Sequence, residues 1–287
     1  MGAELVHLEK QATPRAGLAR SPEYAPAPPT SHDARANGRG RCHAVGAMAR
    51  PTAHDIAARL LVLVRVHQWE AAAGASGVEL AALERGAPQN LAELREKGVE
   101  GVLSPAEASF LGASPLAAPE HVRAEASWAL EAIASLAWAL GLVPELPGYE
   151  ALVEPEFLSG FPDALPAELV AGAKPRSDAE KDRARAIAEL WLWRARTREL
   201  IERGTPPPRG FKSFDEIVRK AASNAHRNKF LAELVDGDFT LFGRAYRDLD
   251  AGAFSTARSL ALERLRAHNW LCGRAPDNRW ERTPIDA

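Results

Sequence analysis

The most constraining feature of the chain is a recurring mark: a Ser or Thr followed three residues later by a carboxylate. Thr52 with Asp55, Ser104 with Glu107, Ser177 with Glu180 and Ser213 with Glu216 all have this form. The hydroxyl accepts from the N–H three residues on, and the carboxylate accepts from the first residue's N–H. Two donors orphaned at a helix start are thereby satisfied. After Thr52, Ile56, Leu60, Val64 and His67 recur at helical spacing. Pro105 sits at a first helical position and Pro119 opens a long segment, while Gly98, Gly141, Gly204 and Gly273 stand where helices should stop.

This punctuation predicts helices from Thr52, over 90–97, after Ser104, over 119–140, from Ser177 to Gly204, from Ser213 to about Asn224, and from Asp250 to Gly273. One strand pair is expected, Leu231 to Val235 and Asp238 to Phe242, joined by Asp236-Gly237, the favoured type I′ pair. No internal repeat is visible. The fold class is mainly α. A single helical domain over 51–287, with about four long helices, short ones and one small β-hairpin, packs around Trp128, Trp138, Trp191 and Trp270. A chain of 287 residues can bury roughly 70–75% of its unfolded surface, so it needs no staple.

Residues 1–50 break this grammar. They hold five prolines, six arginines and one aromatic residue, Tyr24, and read as a disordered tail. Met48 is the only methionine besides Met1, so the tail is also compatible with an over-extended start.

Net charge is -2 overall, which excludes a strong polycation or polyanion. Its distribution is uneven: 6 basic and 17 acidic residues over 52–173, then 15 basic and 8 acidic over 174–229. The basic block has two readings, a nucleic-acid surface or one helical layer of 174–287 facing the acidic layer 52–173. The sequence favours the second, because acidic residues interrupt the block and Trp191 and Trp193 look like core.

Cys42 and Cys272 stand far apart, without CxxC or Cys/His ligand spacing, so neither a disulfide framework nor a metal site is expected. No cofactor fingerprint occurs either. The start MGAELVHLEK lacks the basic and apolar parts of a signal peptide, and the most apolar stretch, 128–143, is too short to span a membrane. The cytoplasm is the expected compartment.

Two constellations could carry chemistry. On the 119–140 segment, Trp128, Glu131, Ser135 and Trp138 share one helical face. A carboxylate among Leu130, Ala132 and Ile133 is costly to bury alone, so Glu131 should find an arginine, with Arg194 or Arg198 as candidates. It would be either a raised-pKa acid in a tryptophan-lined pocket or half of a register-fixing ion pair, and the ion pair is favoured. His121 and Glu125 lie one turn apart on the same segment but lack further ligands.

On the last helix, Glu263, Arg264, His268, Asn269, Trp270 and Cys272 precede Trp280, Thr283 and Asp286. His268 could serve as a base, or pair with Cys272 one turn on. No glycine-rich loop or nucleophile elbow accompanies them, so a structural clasp of Trp270, Trp280 and Asn269 is the favoured reading.

These residues also carry a resemblance. Glu131-Ala132 … Leu136-Ala137-Trp138-Ala139-Leu140-Gly141-Leu142 … Glu145-Leu146-Pro147, then Phe242-Gly243 … Tyr246-Arg247-Asp248-Leu249, then Glu263-Arg264 … Ala267, Asn269-Trp270-Leu271-Cys272-Gly273 and Trp280 resemble the motifs of a bacterial domain-of-unknown-function family, number 4272. Asp286 fits the acidic end of the closing motif, Ala287 replaces its usual Thr, and His268 stands where an aliphatic residue is usual. The resemblance runs over residues 55–287 and implies a mainly helical domain, but no activity, substrate or cofactor. The expectation for function is a non-enzymatic protein-binding module. The alternatives are a hydrolase-like enzyme using Glu131 or the last helix, and a nucleic-acid binder using 174–229.

Overall fold

The computed structural model describes residues 49–74, 79–161 and 164–286. Cys42, Met48 and nearly all of the expected tail lie outside the described residues. Arg50, counted with the tail in the sequence, belongs to the folded part. Its guanidinium pairs with Asp182 at 2.9 and 3.0 Å and with Asp178 at 3.4 Å.

Eight α-helices are described: α1 (Ala53–Gly74), α2 (Leu80–Glu96), α3 (Pro105–Leu111), α4 (Glu120–Leu140), α5 (Pro166–Ala171), α6 (Asp178–Glu202), α7 (Phe214–Arg227) and α8 (Ala251–Leu271). Their starts follow the marks in the sequence. Ser104 and Ser177 close complete capping boxes with Glu107 and Glu180. Asp55 and Thr52 exchange the same pair of bonds. Ser213 completes half a box, because Glu216 accepts from the Lys212 N–H instead. Gly141 ends α4 at φ 73°, a left-handed conformation. A β-carbon there would meet the Lys174 carbonyl oxygen at 2.1 Å, so the position also requires the absence of a side chain.

Three elements exceed the sequence expectation, and one of them, α5, has no counterpart in it. α2 begins at Leu80 rather than near Asn90 and carries Pro88 inside it. Proline normally marks a boundary, but tertiary packing holds this helix together across it. Gly86 lies directly on the Trp69 ring, where a β-carbon would come within 3.2 Å. The expected hairpin is also the first part of a three-stranded antiparallel sheet: β1 (Leu234–Val235), β2 (Asp238–Leu241) and β3 (Arg244–Ala245). Leu234 faces Phe239 in the first pair, and Thr240 faces Ala245 in the second. Asp236 and Gly237 turn the first hairpin at φ 52° and 77°, and Phe242 and Gly243 turn the second at 52° and 71°. A phenylalanine in left-handed conformation is uncommon, which is why the second turn is not legible in the sequence.

The apolar residues form three clusters, not one core around four tryptophans. The first joins α1, α4, the end of α8 and Trp280, and contains Trp138 and Trp270. The second joins α6, α7, the sheet and the first half of α8 around Trp191. The third lies between α1, α2, α3 and the start of α4. Trp128 is only half-buried, because α4 is continuously buried only from Ala129 on. α8 supplies Ala257, Ala261 and Leu265 to the second cluster and Ala267, Trp270 and Leu271 to the first. It packs on both α4 and α6, so the acidic first half meets α8 rather than meeting the basic helix α6 broadly.

Candidate functional site

The two sequence constellations converge on one buried point. Glu131 on α4 and Arg264 on α8, 133 residues apart, are each almost fully enclosed. Arg264 donates from Nε at 2.9 Å and from Nη2 at 2.7 Å to Glu131 Oε2. The other carboxylate oxygen accepts from the Val153 N–H at 2.9 Å. The remaining guanidinium hydrogens collect loop carbonyls: Pro147 at 2.7 Å, Gly148 at 2.9 Å and Ala151 at 3.3 Å. The Tyr149 ring lies 4.8 Å from Arg264 Cζ and stacks on Trp191 at 4.9 Å and 7°. Every strong donor and acceptor of this pair is satisfied, and what it does is clamp the 142–153 loop between α4 and α8. The partner expected for Glu131, Arg194 or Arg198, is corrected: α6 turns both toward the sheet, and α8 comes between.

Other members of the first constellation have local roles. Ser135 donates to the Glu131 carbonyl at 3.1 Å, one turn back. Trp138 stands edge-on to His268 at 5.9 Å and 82°, and the Arg176 guanidinium lies over its ring. His121 and Glu125 are exposed on α4. Among the described residues, no group of three or more His, Cys, Asp or Glu could hold a metal.

His268 and Cys272 do not form an ion pair. Burial, with Arg264 and Arg185 nearby, drives the His268 pKa down to about 3, so its imidazole is neutral. Burial, reinforced by Asp182, pushes the Cys272 thiol up to about 11. A reactive thiolate needs both shifts in the opposite sense.

The C-terminal residues close over the first cluster. Trp280 meets Trp270 edge to face, with centroids 5.7 Å apart and planes at 69°. Trp270 Nε1 donates to the Asn278 carbonyl at 2.9 Å, and Asn269 Nδ2 donates to the Pro284 carbonyl at 2.8 Å. The turn between them uses Asp277 and Asn278 at φ 55° and 56°. Thr283 is buried, whereas Asp286 is almost fully exposed and lies 4.0 Å from Arg196.

Glu263 and His268 respond to pH in opposite senses, and His67, its pKa lowered by burial, acts in the same sense as His268. Burial raises the Glu263 pKa to about 7; Arg266, at 3.4 Å, opposes the shift and Glu125 adds to it. The unfolded carboxylate ionises near 4.5, so between pH 4.5 and 7 the folded state holds the extra proton and stability falls as pH rises. His268 acts in reverse. Its unfolded form takes a proton below 6.5 and its folded form only near 3, so stability falls as pH falls through that window. From pH 4.5 to 6.5 the two slopes oppose each other. Glu263→Gln removes one of them. Urea unfolding of this variant should show stability rising with pH from 4.5 to 6.5, and a gain of about 3 kcal/mol over the unmodified chain at pH 8. An unchanged profile at pH 8 would show that Glu263 ionises freely.

The sequence missed a second buried pair. Asp238, first residue of β2, accepts from Arg194 Nε at 2.7 Å and Nη2 at 2.6 Å, and from the N–H groups of Phe239 and Arg247. Its signal was an acidic residue immediately after a turn at the head of a buried strand. Beside it opens a cleft of about 270 Å³ between α6, α7 and β2, lined by residues that include Arg194, Arg198, Arg219, Arg247, Asp215 and Ile201. Arg194 Nη1 is buried and has no acceptor.

Part of the basic block is spent on backbone carbonyls, while nine of its fifteen basic residues are exposed. Arg176 donates to the Val143 and Pro144 carbonyls, Arg183 to those of Asn228 and Lys229, Arg196 to Ile285 and Arg198 to Tyr246. These guanidiniums tie loop ends to helices.

Among the described residues, no helix is long and apolar enough to cross a membrane. No curated protein and no solved structure matches the chain. A family model described as a domain of unknown function (DUF4272) matches residues 42–210. That range starts within the segment read as a tail and includes Glu131 and the tryptophan–glycine end of α4; the closing motif around Trp270 lies beyond it. With more than half of its length covered by that model, the chain belongs to the DUF4272 family.

Proposed function

We propose that the protein is a non-catalytic, cytoplasmic protein-binding module. One observation supports this most directly: three of the four candidate groups for acid–base or nucleophilic work are already committed, and the fourth, Glu263, is buried beside Arg266. Glu131 is saturated by Arg264 and the Val153 N–H, His268 is neutral, and Cys272 is a protonated thiol. What remains unspent is surface, in particular the arginine-lined cleft beside Asp238. Cys272 is a free thiol, which fits a reducing compartment. The nucleic-acid reading has less support because acidic residues interrupt the block and several of its arginines hold backbone carbonyls.

The test uses the purified full chain. Affinity isolation followed by reconstitution from purified components should give a one-to-one complex with a partner protein, read by light scattering. Turnover of an ester or phosphodiester substrate in proportion to protein concentration would overturn the reading.

A further inference from the structure

We propose that the cleft between α6, α7 and β2 receives a single carboxylate side chain from a partner protein, flanked by an aliphatic residue. This deepens the binding reading above and rests on it. Arg194 pairs with Asp238 through Nε and Nη2, and that side-on geometry leaves Nη1, the far corner of the guanidinium plane, without an acceptor. Such an orphaned charged donor is costly unless something completes it. Arg219 lays its stem over Gly237, is exposed, and makes no hydrogen bond or ion pair among the described residues. Arg247 holds Asp236 only loosely, at 3.4 Å. Two guanidiniums with spare donors, Arg194 and Arg219, therefore border one concavity, and planar guanidinium matches planar carboxylate in two-point contacts.

Charge selects the occupant. The lining carries four guanidiniums, Arg194, Arg198, Arg219 and Arg247, against three carboxylates, Glu202, Asp215 and Asp238. Arg198 already pairs with Glu202, and Arg247 reaches Asp236 and Asp248 outside the lining, so the donors left for one incoming carboxylate are Arg219 and Nη1 of Arg194. A polyphosphate backbone would meet the same three carboxylates and find no aromatic ring in the lining to stack on. Ile201, 42% exposed at the rim, and Val218 supply the apolar flank. A volume of about 270 Å³ holds a side chain and part of its neighbour rather than a larger ligand.

The experiment is fluorescence anisotropy on the full chain with two labelled heptapeptides, one centred on Leu-Glu-Leu and one on Leu-Gln-Leu. The acidic probe should bind at least tenfold tighter than the amide probe and weaken as salt is added. Arg219→Glu should weaken it by at least tenfold with an unchanged melting temperature, Arg219→Lys by less, and the remote exposed Arg85→Glu not at all. Equal binding of the two probes, no binding of the acidic probe, or indifference to Arg219→Glu would each overturn the proposal. Glutarate competing as well as the peptide at equal concentration would assign the site to a free small acid and overturn the protein source. A one-to-one partner complex that survives Arg219→Glu would keep the binding reading and sink this cleft.

Discussion

Replacing Arg264 with Met should destabilise the protein by about 3–5 kcal/mol, because the change leaves a buried carboxylate uncompensated. Glu131 is 3% exposed and would retain only the Val153 N–H as a partner. The carbonyls of Pro147, Gly148 and Ala151 would lose their donor in the same step. Tyr149 would lose the cation over its ring, and the stack on Trp191 that ties the loop to the second cluster would loosen. Glu131→Met should cost a similar amount, since it strands the guanidinium. The double variant, Glu131→Met with Arg264→Met, should recover part of the loss but not all of it. It removes both charges, yet the loop carbonyls stay unpaired. Urea unfolding followed by tryptophan fluorescence measures all three. Near-native stability in either single variant would mean that the pair does not clamp the loop, and would return Glu131 to the list of candidate catalytic acids.

Trp280→Ala should cost about 3–5 kcal/mol as well, and lower the melting temperature by roughly 10 °C for a chain of this size. Trp280 is almost fully buried and packs on Trp270 and on the first cluster. It also covers the buried guanidinium of Arg59, whose Cζ lies 5.1 Å from its ring. Trp270→Ala should be at least as costly, because it also strands the Asn278 carbonyl that its Nε1 holds. Asn269→Ala strands the Pro284 carbonyl and removes a long contact from Arg185, and should cost about 1–2 kcal/mol. A Trp280→Ala variant that melts like the unmodified chain would mean that the C-terminal turn is not a structural clasp. The C-terminal cluster would then become the strongest candidate for a functional site.

Much of the architecture was legible because it is written locally. A capping box spans four residues, about one turn of backbone, so Ser104, Ser177 and Thr52 announce their helices whatever packs on them. Gly141 and the Asp236-Gly237 pair likewise declare a left-handed backbone in their own positions. Where a strong local signal met a stronger tertiary one, the reading failed. Pro88 marks a boundary in sequence, yet α2 runs through it over the Trp69 ring. Phe242 carries no turn signal, yet it turns the second hairpin.

The candidate site shows the same division. That a carboxylate at Glu131 must find a partner followed from residue chemistry, because an unpaired charge among Leu130, Ala132 and Ile133 is too costly to bury. Which arginine it would be did not follow. The block 174–229 offers fifteen basic residues, and Glu131 pairs with none of them. The sequence by itself determined six of the eight described helices, most of their ends and the need for a buried counter-charge. The tertiary structure alone decided that α8 lies against both α4 and α6, and hence that Arg264 reaches Glu131 while Arg194 turns to Asp238. The physical reason is range. Caps and turns are set by bonds within one turn of chain, whereas the partner of a buried charge is set by how helices more than a hundred residues apart rotate and pack.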